Sequence, residues 1–98
     1  MTGTTTIQKD DSSDGGRYIA AIDGAAAEMT YTKIGPALIS IDHTYVPDPM
    51  RGRGLAQALA KSAVMDARKG GWKIIPRCRF MHVQAKEHPD WSDVVVFQ

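Results

Sequence analysis

At 98 residues the chain has room for one small domain, and a domain of this size buries only about 60–65% of the surface its unfolded chain exposes. A formal net charge of +1 argues against a binder held by a broad phosphate-neutralising surface, and no apolar run approaches the roughly 20 residues of a membrane span. The single cysteine, Cys78, excludes an internal disulfide or a cysteine-based metal framework, and residues 1–16 lack the apolar core of a signal peptide. The expectation is a cytoplasmic monomer or weak dimer with no membrane or nucleic-acid partner.

Residues 1–16 are almost entirely Thr, Ser, Asp, Gly, Lys and Gln, with Ile7 as the one large aliphatic inside them, which predicts a disordered polar tail. A single domain is expected over residues 17–98. Arg17 to Asp23 alternates around Tyr18, Ala20 and Ile22, and Asp23-Gly24 supplies the positive φ angles of a tight hairpin turn. A second strand is predicted from Ala26 to Lys33, ended by Gly35-Pro36, and a third from Ala37 through Ile39, Ile41, His43 and Tyr45 to Val46. Pro47 and Pro49 then remove backbone donors and stop it.

From Gly54 to Lys69 the spacing switches to a helical stripe of Leu55, Ala56, Leu59, Ala60, Ala63, Val64 and Ala67. Gly70-Gly71 ends that helix, with Arg68 and Lys69 complementing the negative end of its dipole. Trp72 to Pro76 reads as a fourth strand reached by a strand-helix-strand crossover. Arg79 to Lys86 suits a short helix with Phe80, Val83 and Met81 turned inward, and Pro89 starts a further turn. The predicted class is α/β of the α+β kind: a mostly antiparallel sheet of about four strands with one crossover and a short C-terminal helix.

The segment Val46 to Ala56 leaves a strand, passes two prolines and two glycines, and opens the best helix. Helix N-termini carry unpaired N–H groups and partial positive charge, so a turn of small residues there lets amides close on a phosphate. Gly52 and Gly54 carry no Cβ to obstruct it, and Arg51 and Arg53 add fork-shaped cationic donors suited to diphosphate oxygens. The segment lacks the Lys-Ser/Thr ending of a P-loop and is not G-x-G-x-x-G.

Arg51-x-x-Gly54-x-Ala56, preceded by Val46, resembles the Q/R-x-x-G-x-G/A acyl-coenzyme A signature of the GNAT superfamily of N-acetyltransferases. His43-Thr44-Tyr45-Val46 is similar to the H-T-E-V of its minimal single-domain subgroup. Pro76-x-Cys78-x-Phe80 and His88-Pro89-Asp90-Trp91 resemble that subgroup's P-x-C-x-Y and H-P-E-Y. The resemblance runs from Arg17 to Val95. It implies a small GNAT-like fold in which Val46, Arg51, Gly52, Arg53, Gly54, Leu55 and Ala56 bind acetyl-coenzyme A. It also implies strands that splay apart near Val46 and Pro76 to admit the pantetheine arm.

Acetyl transfer to an amine needs a neutral nucleophile, a polarised thioester and a proton for the departing thiolate. Cys78 is the first catalytic candidate: a subgroup cysteine at this place is often proposed as catalytic, and Arg77 and Arg79 flank it. A small buried residue lining the slot is the other reading of Cys78. His43 is the second candidate, as a general base on the strand beside the cofactor. Tyr45 stands where the subgroup usually has Glu, so no acidic base is expected at that position, and Phe80 replaces the usual Tyr, which removes a hydroxyl that could protonate the leaving thiol.

Trp72, Trp91 and Met81 fit core packing, and the three histidines lack a carboxylate at ligand spacing, so no metal site is expected. The leading function is acetyl-coenzyme A dependent N-acetylation of a primary amine on a protein, peptide or small molecule. A non-catalytic acyl-coenzyme A-binding or interaction module is the alternative. A nucleic-acid patch on Arg51, Arg53, Arg77 and Arg79 lacks the aromatic interleaving such sites use.

Overall fold

The computed structural model describes residues 6–22 and 24–97. Five strands form one sheet in the order of the sequence: β1 (Ile7–Asp11), β2 (Gly15–Ile22), β3 (Ala25–Gly35), β4 (Leu38–Tyr45) and β5 (Lys73–Pro76). The first four make an antiparallel meander, and β5 joins β4 in parallel after the crossover helix α1 (Leu55–Gly70). Helix α2 (Arg79–Glu87) follows, then a single 3₁₀ turn over Pro89–Trp91. Val95 closes the far edge as an isolated parallel bridge to Ile74.

Residues directly opposite in a ladder project to the same face, so the register gives the core. Tyr18 with Met29, Ala20 with Ala27, and Tyr31 with Ile41 are buried pairs facing α1, whose Leu55, Leu59, Ala60, Ala63, Val64 and Ala67 are buried against them. Ala56 is half-buried at the end of that stripe. Met81 and Ala85 of α2 and Trp91, Val94 and Val95 join the same cluster. No helix among the described residues is long and apolar enough to cross a membrane.

Two sequence expectations change. Of the tail expected over residues 1–16, residues 1–5 lie outside the described residues, but Ile7–Asp11 pairs with β2 from Ile7 opposite Ala20 to Asp11 opposite Gly16. Side-chain chemistry from two other elements, α1 and β3, holds this polar strand. Lys9 Nζ reaches Asp66 of α1 at 2.7 Å, Tyr31 donates its hydroxyl to Asp11, and Lys33 Nζ meets Asp11 at 2.8 Å. The second change is in α2, where Met81, Gln84 and Ala85 are buried while Val83 is 42% exposed. The helix therefore turns a different stripe inward from the one centred on Val83. At the β2–β3 hairpin Gly24 has φ 80° as expected, and Asp23 lies outside the described residues.

The C-terminal end of α1 is closed by Gly71 in the left-handed region, whose N–H donates to Ala67 at 2.8 Å. Gly70 answers a different need: a Cβ there would meet the Trp72 ring at 2.0 Å. Arg68 then grips the returning chain through two hydrogen bonds to Asp93, at 2.7 and 2.8 Å.

The Lys33 ammonium and the Tyr31 hydroxyl hold Asp11 below the usual carboxylate range. Burial pushes Asp66 up, but Lys9 and the Tyr18 hydroxyl together bring it below that range as well. Both groups lie lower in the folded than in the unfolded chain. Their contribution is therefore fully present above about pH 4 and lost as pH falls through the lower folded values. Urea midpoints measured from pH 6 down to about pH 3 should fall steeply in the wild type and less steeply in Asp11→Asn/Asp66→Asn. Equal slopes would remove these carboxylates from the account.

Candidate functional site

Pairing between β4 and β5 runs only from Leu38 opposite Lys73 to Ile41 opposite Pro76, whereas β3 and β4 stay paired to Glu28 opposite Tyr45. Residues 42–45 of β4 thus have β3 on one side and no strand on the other among the described residues. The divergence has a local cause. The N–H groups of Arg77 and Cys78 both donate to the Ile41 carbonyl at 3.0 Å, which turns the chain off β4 and into α2.

A β-bulge at the same level resets the faces of β4. Thr30 pairs with His43 but Tyr31 pairs with Ile41, so Asp42 is the extra residue. Past the bulge Thr44 lies opposite buried Met29 and faces the helices, while His43 and Tyr45 turn to the uncovered face, Tyr45 being 57% exposed. Asp42 is held in place by the hydroxyls of Ser40, at 2.7 Å, and Thr32, at 2.5 Å.

Cys78 is half-buried as the N-cap of α2. Its Sγ accepts the Met81 N–H at 3.4 Å and lies 3.4 Å from Thr44 Oγ1. The two catalytic candidates are therefore not brought together: Cys78 belongs to the helix face and His43, exposed, to the other. Arg77 and Arg79 are exposed on either side of the cysteine.

Beyond β4 the chain passes through a 3₁₀ turn, Asp48–Met50, whose Met50 is buried and seats the loop on the core. Gly52 and Gly54 then adopt φ 80° and 72°, a region that costs other L residues about 1 kcal/mol or more. A Cβ at either position would meet no atom within 4 Å, so space lies open before the turn. Gly54 is the N-cap of α1 with no side-chain cap, and the first bonded amide is Ala58, to the Gly54 carbonyl at 3.0 Å. The amides of the first helical turn are left facing outward.

Val46, Arg51, Gly52, Gly54, Leu55 and Ala56 line a cavity of about 150 Å³, with Met50, Gln57 and Phe80 as its remaining walls. Arg53 is exposed outside it. Arg51 Nε is drawn inward by the Val46 carbonyl and by Asp48 Oδ1, both at 3.3 Å. Sequence reasoning passed over Thr44, Met50 and Gln57. Only the bulge aims Thr44 at Cys78, and no short motif marks Met50 or Gln57. A larger cavity, about 570 Å³, lies beside the C-terminal half of α1, away from these residues.

Comparison with known proteins finds a family, curated relatives and a solved structure that this chain resembles. A family model described as GCN5-related N-acetyl-transferase matches residues 17–94. Protein NATD1 from Gallus gallus is 35% identical over 63 residues, which are 64% of this chain and 57% of the relative, and the Mus musculus protein matches equally. The chain thus spans little more than half the length of these curated relatives. The NMR solution structure of a GCN5-like protein from Staphylococcus aureus aligns with a TM-score of 0.69 at 32% identity, over 93% of this chain and 89% of that one.

The N-cap geometry predicts that Cys78 carries stability as well as any chemistry. Cys78→Ala should lower the unfolding free energy by about 1 kcal/mol, and Cys78→Ser should restore most of it, because a hydroxyl caps better than a thiol. Urea denaturation of the two variants checks this, and an unchanged Cys78→Ala midpoint refutes it.

Proposed function

The chain belongs to the GCN5-related N-acetyltransferase family, and we propose that it binds acetyl-coenzyme A at the Arg51–Ala56 turn and transfers the acetyl group to a primary amine. The observation that carries this reading is the uncapped N-terminus of α1. Its free amides, the two left-handed glycines and the Arg51 guanidinium all border one open recess. A recess of about 150 Å³ is too small for a whole nucleotide and suits a phosphate group, with the rest of the ligand running outside it. Arg53, exposed and without an ion pair among the described residues, is placed to add a second cation at the rim.

Bound acetyl-coenzyme A would supply an activated acetyl group on a sulfur leaving group. The free edge of residues 42–45 offers main-chain donors and acceptors to an extended arm, and the turn at Arg77-Cys78 keeps that edge open. We assign Cys78 the attacking role. Its Sγ forms a bond to the acetyl carbon, the thioester C–S bond breaks, and the thiol proton leaves with the departing sulfur. The neutral acceptor amine then attacks the acetylated cysteine, the new N–C bond forms, the C–S bond to Cys78 breaks, and the proton lost by the amine nitrogen returns to the Cys78 sulfur.

His43 lies on the opposite face of β4 from Cys78, so it is not the base of this attack, and the acceptor amine meets the acetylated cysteine already neutral. The acceptor is an amine on a protein, peptide or metabolite that reaches Cys78 along the open edge of residues 42–45. We read residues 17–98 as one acyl-coenzyme A-binding domain, with β1 as an added edge strand, acting in the cytoplasm where its lone thiol stays reduced.

A binding module without turnover is the second reading, favoured by Tyr45 and Phe80. They leave position 45 without a carboxylate and position 80 without a phenol, and Phe80 contributes an apolar wall to the recess. Calorimetric titration with acetyl-coenzyme A separates the possibilities. Arg51→Ala/Arg53→Ala, folded by circular dichroism, should lose at least about tenfold in affinity, or roughly 1.4 kcal/mol. Unaltered affinity rejects the phosphate site. Intact-mass analysis after incubation with acetyl-coenzyme A should show one acetyl group, absent in Cys78→Ser. Binding without acetylation, and without transfer to any amine, selects the module.

A further inference from the structure

The sulfur of Cys78 has two hydrogen-bond partners among the described residues, and both are able to donate to it. The Met81 N–H, in the first turn of α2, reaches Sγ at 3.4 Å, and the Thr44 hydroxyl approaches it from β4, also at 3.4 Å. Arg77 and Arg79, its neighbours in the chain, are exposed, and neither is hydrogen-bonded to the sulfur. Among the described residues Thr44 is therefore the one side chain bonded to the thiol.

Three separate features of the fold converge on that contact. The bulge at Asp42 turns Thr44 to the helix side of the sheet, opposite Met29, and the hydroxyls of Ser40 and Thr32 hold Asp42 in place. The two amides of Arg77 and Cys78 bend back to the Ile41 carbonyl, which brings the thiol beside β4. Cys78 is extended as the N-cap of α2, so its side chain folds over the first turn to accept the Met81 N–H. Thr44 and Cys78 are both half-buried, so the contact is partly screened from water.

A hydroxyl serves a reacting thiol in a way that an aliphatic side chain does not. It accepts the S–H hydrogen of the resting thiol and, by rotating, donates its own hydrogen once the sulfur carries negative charge. Hydrogen bonds to an ionised group are stronger than those between neutral groups, so the contact strengthens as charge gathers on Sγ. The Met81 N–H adds a fixed donor at the positive end of α2. In the steps assigned to Cys78, charge builds on the sulfur when the thiol proton leaves and again when the C–S bond to it breaks. The same hydroxyl meets it each time.

We propose that Thr44 is the positioning residue of the Cys78 thiol: its hydroxyl holds Sγ beside the open edge of β4 and stabilises the charge that gathers there as the sulfur reacts. Its use in acetyl transfer rests on the attacking role assigned to Cys78, whereas its hold on the thiol does not.

Cys78 is the single cysteine of the chain, so the mass gained on thiol alkylation reports on it alone. The test compares the full wild-type chain with Thr44→Val, which keeps the shape and removes the hydroxyl, and Thr44→Ser, which keeps the hydroxyl and removes the methyl. Folding is checked by circular dichroism, and Thr44→Ala takes the place of Thr44→Val where valine disturbs it. With iodoacetamide at about pH 7 and no acetyl-coenzyme A, Thr44→Val should react about fivefold more slowly than wild type, and Thr44→Ser within about twofold of it. With saturating acetyl-coenzyme A and no acceptor, acetylation of Cys78 followed by intact mass should slow by a similar factor in Thr44→Val and recover in Thr44→Ser. Calorimetric affinity for acetyl-coenzyme A should stay within about twofold in all three.

Thr44→Val reacting with iodoacetamide as fast as wild type overturns the proposal. Thr44→Ser reacting as slowly as Thr44→Val overturns it too, because the methyl group rather than the hydroxyl then matters. Iodoacetamide rates that follow the hydroxyl while no chain, wild type included, gains an acetyl group uphold the hold of Thr44 on the thiol and remove the attacking role of Cys78 instead.

Discussion

The Ile41 carbonyl accepts two amides, those of Arg77 and Cys78, and this one junction sets the geometry of the candidate site. A parallel partner would otherwise continue along β4. Because both donors bend back to a single acceptor, β5 ends at Pro76 while β4 runs on to Tyr45. Pro76, lacking an N–H, offers no donor to the ladder at that point. The same bend delivers Cys78 to the N-terminus of α2, where its sulfur caps the helix and lies against Thr44. Strand divergence, thiol position and the start of the last helix thus follow from one unusual acceptor.

The bulge at Asp42 works beside that junction. Without it, His43 would share the face of Ile41 and point at the helices, and Thr44 would point away. With it, a polar hydroxyl enters the helix side opposite Met29 and the imidazole leaves for the open side. A single extra residue therefore divides the polar groups of β4 between two faces. Asp42 is fixed by two hydroxyls, Ser40 and Thr32, which stabilise the irregularity from its own strand and from β3.

Much of this was legible in the residues themselves. The α1 stripe, the glycine turn before it, the Gly71 stop and the order of the last four strands all rest on local signals: periodicity, positive φ and missing donors. The GNAT resemblance placed the turn in context. What escaped is non-local. Ile7–Asp11 has no apolar alternation, and it becomes a strand because Asp66, Tyr31 and Lys33, distant in sequence, satisfy its charges. The bulge leaves no mark in composition, since Asp42 reads like any polar strand residue. The inward stripe of α2, Met81, Gln84 and Ala85, is set by the elements it packs against, β4, β5 and α1, which local periodicity does not name.

The two ends of α1 are secured unequally. A serine or aspartate N-cap would stabilise the helix by about 1 kcal/mol, yet the position is held by a left-handed glycine with no side-chain acceptor. A side chain satisfying those amides would occupy the place an anion needs. The opposite end is over-secured: Gly71 closes the last turn, Trp72 lies on Gly70, and Arg68 grips Asp93 twice. The polar clip of Lys9, Asp66 and Tyr18 ties the same half of the helix to β1 and β2. In a domain this small, an unsatisfied helix terminus persists only if the rest of that helix is firmly anchored. The anchoring at residues 66–72 is what allows residues 54–57 to remain open.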